Sequence, residues 1–530
     1  AGGAVVHVVG SWCDAVDIPF SDGGSGPSRR CRVVLCLGEE GAPGLPEALP
    51  GWTTTCPPRD AVLSLLRAVS PLAVLPLVLH VSEEGHVEVQ ATASSAGAPG
   101  AGAPSATPRE DEASLLRQAS QAYDAGDFLL AAREFARLAS APYEDATAAY
   151  NLAAILHSFG LSLLAVPYFM KVILRSPEDR TAHSMLGGVL GELEPGAVTL
   201  AYREIVRRQP TNHRAAHRLA CLTQSGRAAE EGRADPEYIR EVFDEMAEQF
   251  ETRLVHHLQY RAPWQLRDLV DEFLVASTED PEAPTTPEHR LPGAGGWRIV
   301  DLGCGSGLCG RLFRHLTDPR AAPLPTDEAE IHQTLVALKG AVAREPHPSA
   351  GVRGVMTGVD LSSKMVDICR EGGAYDTLVV GDANDCLASL ATGSTSLVLS
   401  ADTFIYIGDL ERSFSLAAEA LQPNGLFAFS LESMGRHEQQ QVAEKRGWDG
   451  AQGLDAEIDE GFFLRASGRY AHAPGYVMRL ARKFGFTVLR RKPITVRTET
   501  AVPIEGELLL LQRQSGSFSG QIQAAAASKG

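Results

Sequence analysis

The stretch IVDLGCGSGLCG, residues 299–310, decides the fold class of this 530-residue chain. An apolar run typical of a buried strand leads into Asp301, and the sequence GRLFRHL that follows is typical of a helix. Between the two, glycine recurs at positions 303, 305, 307 and 310. A glycine-rich turn between a strand and a helix lets the backbone approach a ligand at the carboxyl end of the strand. The stretch therefore predicts a ligand-binding α/β domain.

Downstream of this stretch, predicted strands alternate with predicted helices. The further strands are GVMTGVDLS (354–362), TLVVGDA (377–383), TSLVLSADTF (395–404) and GLFAFSLES (425–433), followed by a closing hairpin of TVLRRKPI and GELLLLQRQ. Such alternation predicts a doubly wound, Rossmann-like sheet of seven mainly parallel strands. We place this domain at residues 235–513, with an insertion at about 318–350 that we expect to be peripheral, and a disordered tail at 514–530.

Acidic residues end successive strands of this predicted sheet. Asp301 ends the first strand, Asp360 ends the second, and Asp382 follows the third. The glycines also satisfy G-x-G-x-x-G, the fingerprint of dinucleotide sites. Dehydrogenases, however, usually have an apolar residue where Asp301 stands, so a nicotinamide cofactor is the disfavoured alternative. S-adenosylmethionine has an ammonium group, a ribose diol and an adenine amino group for the three acids, and we expect it as the cofactor.

Each acid has an expected role toward that cofactor. Asp301 lies near the ammonium group, Asp360 accepts from both ribose hydroxyls, and Asp382 accepts from the adenine amino group. The bare glycine turn admits the methionine and ribose portions without Cβ clashes. We expect Cys304, within this turn, to be a small buried side chain rather than a reactive thiol. The predicted cofactor-binding residues are Asp301, Gly303, Cys304, Gly305, Gly307, Asp360, Leu361, Asp382 and Ala383.

Residues 112–232 are predicted to form helical repeats. In the middle unit, residues recur at tetratricopeptide spacing, among them Ala153, Gly160, Ala165 and Phe169. Pro177 and Pro210 are separated by close to the ~34-residue period of such helix pairs. Stacked repeats of this kind form a superhelix with a concave face, which we expect to bind a protein partner. The alternative is a handle that packs only on its own chain.

The two remaining segments before the repeats carry no visible chemistry. Residues 1–92 are predicted to form a small α/β module of unknown role, with strands at 4–9, 31–37 and 72–81 and a helix at 59–69. Residues 93–111 are rich in Ala, Gly, Pro and Ser and are predicted to be a linker.

The motifs resemble a known superfamily. VDLGCGSG, GVDLSSKMV, GDA and SADTFIYIGDL resemble the successive motifs of class I S-adenosylmethionine-dependent methyltransferases. The repeats, together with FDEMAEQFETRLVHHLQYRAP, GGAYDTLVVGDA and SGRYAHAPGYV, resemble tetratricopeptide-repeat methyltransferases over about residues 112–513. The resemblance implies the fold, the cofactor and the cofactor positions, but little about the methyl acceptor.

Two further parts of the sequence could contribute to the site: the segment between the repeats and the sheet, and the residues expected to face the methyl acceptor. The amphipathic segment 235–263 is either a packed helix or a lid across the cofactor end of the domain. Asp402 directly follows the fourth strand, Tyr406 lies just beyond it, and His472 is expected in a loop before a helix. These three are the candidate catalytic residues. We expect methyl transfer to an unknown acceptor. The alternative is a catalytically silent methyltransferase fold that acts as a scaffold through its repeats.

Composition narrows the setting. A formal net charge of −18 argues against a broad nucleic-acid-binding surface. Nine cysteines with no C-x-x-C pair predict a reduced compartment and no structural zinc, and no metal cluster is visible. The longest apolar run is too short to span a bilayer. We expect a cytoplasmic protein, with the mitochondrion as the alternative because the chain does not begin with methionine.

Overall fold

The protein is described from a computed structural model. The structure describes five strands before residue 92 and then residues 112–140, 143–251, 260–279, 296–318, 354–445, 461–499 and 502–515. The chain divides into two compact units, Ala1–Thr223 and Gln224–Gly530. The predicted end of the repeats at residue 232 therefore lies inside the second unit. The predicted linker, the helix at 59–69 and most of the predicted insertion and tail lie outside the described residues.

The first unit begins with strands. They are β1 (Val5–Val8), β2 (Trp12–Pro19), β3 (Arg30–Leu37), β4 (Leu77–Val81) and β5 (Val87–Ala91). β3 pairs in parallel with β1 and antiparallel with β2, while β4 and β5 form an antiparallel pair. β1, β3 and β4 overlap the three strands expected from the sequence, and β2 and β5 were not expected.

Helices form the described part of the first unit from residue 112 onward. They are α1 (Glu112–Asp124), α2 (Phe128–Leu138), α3 (Ala146–Ser158), α4 (Ser162–Arg175), α5 (Arg180–Ser184), a π-helix (Met185–Val189), α6 (Leu190–Leu193), α7 (Pro195–Arg208) and α8 (His213–Thr223). α1 packs on α2, α3 on α4, and α7 on α8. Paired helices are what a repeat array requires, but that these are tetratricopeptide repeats stays a prediction.

Small residues allow these helices to approach closely. The side chains of Ala131, Ala153 and Ala165 are fully buried, and Phe135 and Phe169 fill the space between helices. In the third predicted helical repeat, the π-helix Met185–Val189 interrupts the regular α-helical pattern. A Cβ at its Gly187 would approach the Tyr202 hydroxyl to 3.0 Å, so the large tyrosine needs a glycine opposite it.

The second unit contains the predicted sheet and its helices. The helices are α9 (Arg227–Glu231), α10 (Pro236–Met246), α11 (Ala262–Glu279), α12 (Leu308–Thr317), α13 (Ser363–Gly372), α14 (Ala383–Ser389), α15 (Glu411–Ala420), α16 (Arg436–Lys445) and α17 (Pro474–Lys483). The strands are β6 (Arg298–Leu302), β7 (Val355–Asp360), β8 (Thr377–Val380), β9 (Thr395–Ser400), β10 (Leu421–Ser433), β11 (Phe462–Leu464), β12 (Tyr470–His472), β13 (Phe486–Glu499) and β14 (Val502–Arg513).

Seven of these strands form the main sheet in the order β13-β14-β10-β9-β6-β7-β8. β8, β7, β6, β9 and β10 run parallel, and β14 runs antiparallel between β10 and β13. The predicted Rossmann-like, mainly parallel sheet is therefore confirmed. The pair β11 and β12 was not predicted; β12 adds in parallel to the carboxyl end of β10 at Glu432 and Ser433.

Apolar side chains cover both faces of this sheet. On one face, Phe427 lies within 4.6–5.9 Å, between ring centroids, of Phe404, Phe414, Phe429 and Phe486. On the other, α11 and α12 bury Leu266, Leu269, Val270, Leu312 and Phe313. The two ends of the predicted insertion meet, since the Gly354 N–H donates to the Thr317 carbonyl at 3.1 Å. No described helix is both long enough and apolar enough to span a membrane.

Replacing Phe427 with alanine should destabilise the second unit by about 3–5 kcal/mol, because it removes the ring at the centre of the aromatic cluster. The measurement is urea unfolding followed by the fluorescence of Trp264 and Trp297, which are buried on the opposite face of the same sheet. Val488→Ala, at a largely exposed position of β13, should change the free energy of unfolding by less than about 0.5 kcal/mol. Equal losses in both variants would contradict this assignment of the core.

Candidate functional site

The glycine loop lies at the carboxyl end of β6, in the middle of the sheet. Gly303, Gly305 and Gly307 have φ values of 71°, 52° and 93°, a region that residues with a Cβ rarely adopt. The N–H groups of Gly303 and Cys304 both donate to the Val359 carbonyl, at 2.8 and 2.9 Å. The loop is therefore anchored to the neighbouring strand β7 before α12 begins.

At most glycines of the loop, the space that a Cβ would take is filled by another side chain of the protein. A Cβ at Gly303 would overlap Thr403, whose hydroxyl donates to the Leu302 carbonyl at 2.6 Å. A Cβ at Gly310 would overlap the ring of Tyr375. At Gly305 the nearest atom to such a Cβ is in the Phe250 ring, 3.4 Å away. The bare position at Gly303 therefore accommodates Thr403 of this chain, and the role of Gly303 toward a ligand stays a prediction.

Asp301 is the most buried acid of the site. Its side chain is 1% exposed, and its Oδ2 accepts a hydrogen bond from the Tyr375 hydroxyl. Its Oδ1 has no hydrogen-bond partner among the residues that the structure describes. Burial raises the pKa of Asp301 to about 7; the hydrogen bond from Tyr375 opposes this, and the nearby Asp360 reinforces it. A buried carboxyl oxygen without a partner is costly unless a ligand supplies a donor.

Asp360 ends β7 beside the glycine loop. Its Oδ2 accepts from the Gly305 N–H at 3.0 Å, and its Oδ1 accepts from the Ser362 N–H at 2.9 Å. Burial raises the pKa of this carboxyl, while these two backbone donors oppose the shift. Each carboxylate oxygen can accept a second hydrogen bond, so Asp360 retains capacity for two further donors. Leu361 follows directly and is half-buried.

Asp382 follows β8 and caps α14. Its Oδ1 accepts from the N–H groups of Asn384 and Asp385, at 2.8 and 3.3 Å. Its other oxygen forms an ion pair with Arg233. Ala383 is the buried first residue of α14. Asp382 therefore has a structural task as a helix cap in addition to any task toward a ligand.

Residues 232–251, which we call the lid segment, cross the carboxyl ends of four strands. The Gly232 carbonyl accepts from the Gly408 and Asp409 N–H groups, at 2.7 and 2.9 Å. Further contacts join the segment to each strand end. They are Arg233 with Asp382, Phe243 with Tyr406, Asp244 with Ser362, Phe250 with Gly305, and Glu251 with Arg311. These contacts pack the segment against the strand ends, and its role as a lid stays a prediction.

Asp402 is held in a buried network of charges. It has a φ of 55°, its N–H donates to the Ser430 hydroxyl at 2.8 Å, and that hydroxyl donates to its Oδ1 at 2.7 Å. Arg497 lies between the carboxylates of Asp402 and Glu432, and Arg465 also pairs with Glu432. Burial raises the pKa of Asp402, and Arg497 opposes the shift. These bonds hold Asp402 in place; its catalytic role stays a prediction.

Tyr406 directly precedes Ile407 in the chain, and His472 contacts the carbonyl of Ile407. The ring of Tyr406 packs edge-on against Phe243 of the lid segment, with centroids 5.5 Å apart. His472 was expected in a loop, but it ends strand β12, because its neighbour Ala471 pairs with Glu432. Its Nε2 lies 3.0 Å from the Ile407 carbonyl, and burial lowers the pKa of the ring to about 4. The imidazole is therefore neutral at pH 7.

Cys304 faces Cys369 of α13 and is buried. The hydrogen bond between the two thiols and burial raise the pKa of Cys304 well above its ordinary value. A thiol of this kind is not a reactive nucleophile, in agreement with the expectation of a small buried side chain.

Three residues of the site were missed by the sequence analysis: Arg233, Tyr375 and Arg497. Tyr375 lies within the quoted motif GGAYDTLVVGDA, just before β8 begins at Thr377, but an isolated tyrosine gives no sign of a distant acid as partner. Arg233 and Arg497 lie 149 and 95 residues from the aspartates that they contact. No local pattern in the sequence indicates such pairs.

The comparisons with known proteins agree with the geometry at the level of the domain. A family model for a methyltransferase domain matches residues 338–429. The match covers the strands from β7 to most of β10 and leaves out the glycine loop, which lies before the insertion. No curated protein sequence matches the chain.

Several solved structures are similar to part of this chain. One is magnesium protoporphyrin IX methyltransferase from Synechocystis PCC 6803 with bound SAH, at 18% identity and a TM-score of 0.30, covering 53% of this chain and 99% of that one. Another is a possible histamine N-methyltransferase from Thermotoga maritima, at 16% identity and a TM-score of 0.29, covering 52% and 100%. A Mesorhizobium loti methyltransferase has 21% identity and a TM-score of 0.26, covering 42% and 94%. At such low TM-scores these likenesses support no statement about activity.

Replacing Asp301 with asparagine should stabilise the ligand-free protein increasingly as the pH rises. The folded-state pKa of about 7 lies above the unfolded value near 4, so the acid costs stability once the unfolded chain ionises, and the full cost is present above pH 7. The variant should gain about 2–4 kcal/mol over the parent between pH 4 and pH 8. Urea unfolding at both pH values measures this gain.

Asp385→Asn, at an exposed position of α14, is the matched control and should show no such change with pH. A gain in the Asp301 variant that is the same at pH 4 and pH 8 would show that the carboxyl is not held protonated by burial.

Proposed function

We propose that the second unit binds S-adenosylmethionine and transfers its methyl group to an acceptor. The observation that carries this proposal is the buried Asp301 at the centre of the carboxyl edge of the sheet, whose Oδ1 has no partner in the described part of the chain. A nicotinamide dinucleotide would bring a pyrophosphate to this turn, where the anionic Asp360 already accepts from Gly305. A ligand with a cationic group and a sugar diol fits these carboxyls better.

The residues present fit the parts of this cofactor. Asp301 would accept from the ammonium group, Asp360 from the ribose hydroxyls and Asp382 from the adenine amino group. At Gly305, a Cβ would lie near only the Phe250 ring of the lid segment, so this part of the loop has room for the cofactor if that ring moves. When bound, the cofactor supplies a methyl group already activated on a sulfonium. The methyltransferase-domain match over residues 338–429 supports this assignment.

The protein contributes position and exclusion of water. Holding two reactants in the geometry of attack can supply about 7–11 kcal/mol of barrier lowering. The lid segment covers the strand ends, and Arg233, Asp244 and Glu251 hold it there through polar contacts. On the acceptor side, Arg497 keeps Asp402 and Glu432 in fixed orientations.

Two of the candidate catalytic residues have restricted chemistry. His472 is neutral at pH 7, and its Nε2 is engaged with a backbone carbonyl, so only its Nδ1 remains to accept a proton. Asp402 accepts from Ser430 and Arg497. Tyr406 is half-buried beside the lid segment, where its ring would border the bound reactants. We therefore propose Tyr406 as the first of the three to test for a role in transfer.

The helical unit, in this proposal, recruits the protein that carries the acceptor. Its paired helices and their buried alanines support an array of repeats, whose concave face would hold a peptide. Mass spectrometry would identify proteins that gain methyl groups with the parent chain and not with Asp360→Ala.

A catalytically silent scaffold is the second candidate. It is favoured by the lid contacts, since Arg233 occupies Asp382 and Phe250 lies over Gly305, as side chains that plug a disused cleft would do. In the enzyme the lid segment would move to admit the cofactor, whereas in the silent scaffold it would stay in place.

Replacing Asp360 with alanine should weaken binding of S-adenosylmethionine by at least about 100-fold, because two charge-assisted hydrogen bonds to the ribose are lost. Isothermal calorimetry measures the affinity, and Asp367→Ala, at an exposed position of α13, should bind like the parent. Failure of the parent chain to bind the cofactor would refute the enzymatic proposal.

Replacing both Arg233 and Phe250 with alanine distinguishes a lid that closes over bound cofactor from a segment that permanently blocks the cleft. If the segment is a lid that closes over bound cofactor, the double variant should bind S-adenosylmethionine about 10-fold more weakly than the parent, since it loses covering contacts. Binding by the double variant together with none by the parent would instead establish the silent scaffold. Leu130→Ala, at an exposed position of α2, is the control.

A further inference from the structure

Tyr375 connects the glycine loop to Asp301, and the function proposed above gives it no task. Its hydroxyl accepts a hydrogen bond from the Gly310 N–H at 2.8 Å and donates one to Asp301 Oδ2. Its ring fills the space left by two glycines: a Cβ at Gly310 would overlap it, and a Cβ at Gly358 would lie 2.9 Å from it. The ring is thereby fixed between α12 and β7.

We propose that Tyr375 is a positioning residue for the cofactor: its hydroxyl favours the carboxylate form of Asp301 and leaves the Oδ1 of that acid for the ammonium group. The inference rests on the proposed function, because it presupposes that the cofactor has an ammonium group to bind. It goes beyond that function in naming the residue that prepares the acid.

The direction of the hydrogen bonds follows from the donor count. A tyrosine hydroxyl has a single proton, and the Gly310 N–H already donates to its oxygen, so that proton is directed to Asp301. Burial raises the pKa of Tyr375 well above its ordinary value, so the phenol remains a donor at neutral pH. A donor at one carboxyl oxygen favours the charged form of an acid that burial would otherwise neutralise.

The other titratable groups near Asp301 do not supply this effect. Asp360, at the end of β7, raises the pKa of Asp301 through like charge. Cys304 in the loop, Cys309 on α12 and Tyr260 before α11 are buried with raised pKa values and remain neutral. The Tyr375 hydroxyl is therefore the one stabilising contact to this carboxylate among the described residues.

The test uses Tyr375→Phe in the full chain, which keeps the ring and removes the hydroxyl. Calorimetry measures the affinities for S-adenosylhomocysteine, which carries the ammonium group, and for 5′-methylthioadenosine, which lacks it. Affinity for S-adenosylhomocysteine should fall about tenfold at pH 6 and about twofold at pH 8, because a pKa higher by about one unit leaves less carboxylate at low pH. Affinity for 5′-methylthioadenosine should remain that of the parent.

A second substitution tests the same point without removing the donor. Incorporation of 3-fluorotyrosine in place of Tyr375 makes the phenol a stronger donor of nearly the same shape, and should raise the affinity for S-adenosylhomocysteine at pH 6. In an Asp301→Asn background, Tyr375→Phe should have no pH-dependent effect.

The outcomes are distinct. Equal losses for both ligands at every pH would mean that Tyr375 only shapes the loop, and the inference would be overturned while the proposed function stood. A parent chain that binds neither ligand would overturn the proposed function, and the inference with it.

Discussion

A single carboxyl group buried at the end of the central strand constrains the candidate site. Asp301 has almost no contact with water, and one protein hydroxyl satisfies one of its two oxygens. To place an acid there, the loop that follows must bend through left-handed conformations and anchor itself on the carbonyl of Val359. The ring of Tyr375 then fills the space beneath the loop. The site is thus organised around one buried carboxyl group.

The same constraint explains how distant segments converge on the carboxyl edge of the sheet. The lid segment reaches the ends of four strands, with ion pairs from Arg233 and Glu251 at its two ends. Such pairs are weak in water but stronger where both partners are largely buried, as Arg311 and Glu251 are. A cofactor that binds here must therefore compete with or use these contacts, and that makes the lid central to the choice between enzyme and scaffold.

Opposite charges also balance one another in a buried network beside β9 and β10. Arg497 and Glu432 are each almost fully buried, and Asp402 completes the network from β9. Removal of one member of such a network leaves an uncompensated buried charge. The arrangement stabilises the edge formed by β9, β10 and β12.

The sequence by itself determined the order of strands and helices in the second unit, the glycine turn and the positions of Asp301, Asp360 and Asp382. These follow from local patterns: apolar runs mark buried strands, glycines mark a bent loop, and the carboxyl ends of parallel strands share one edge. For the amphipathic segment that precedes the glycine-rich strand, the sequence left two interpretations open, a packed helix or a lid. The unexpected β11–β12 pair shows the limit of such patterns, since strands of three residues carry little periodicity.

Only the tertiary structure decided what each of these residues contacts. It gave the side-chain space of Gly303 to Thr403, paired Asp382 with Arg233, placed His472 on a strand and joined Tyr375 to Asp301, 74 residues away. The physical reason is that periodicity reports which face of an element is buried, whereas hydrogen bonds and ion pairs depend on how separate elements meet. That meeting is set by the packing of the whole sheet and its helices, which no short stretch of sequence contains.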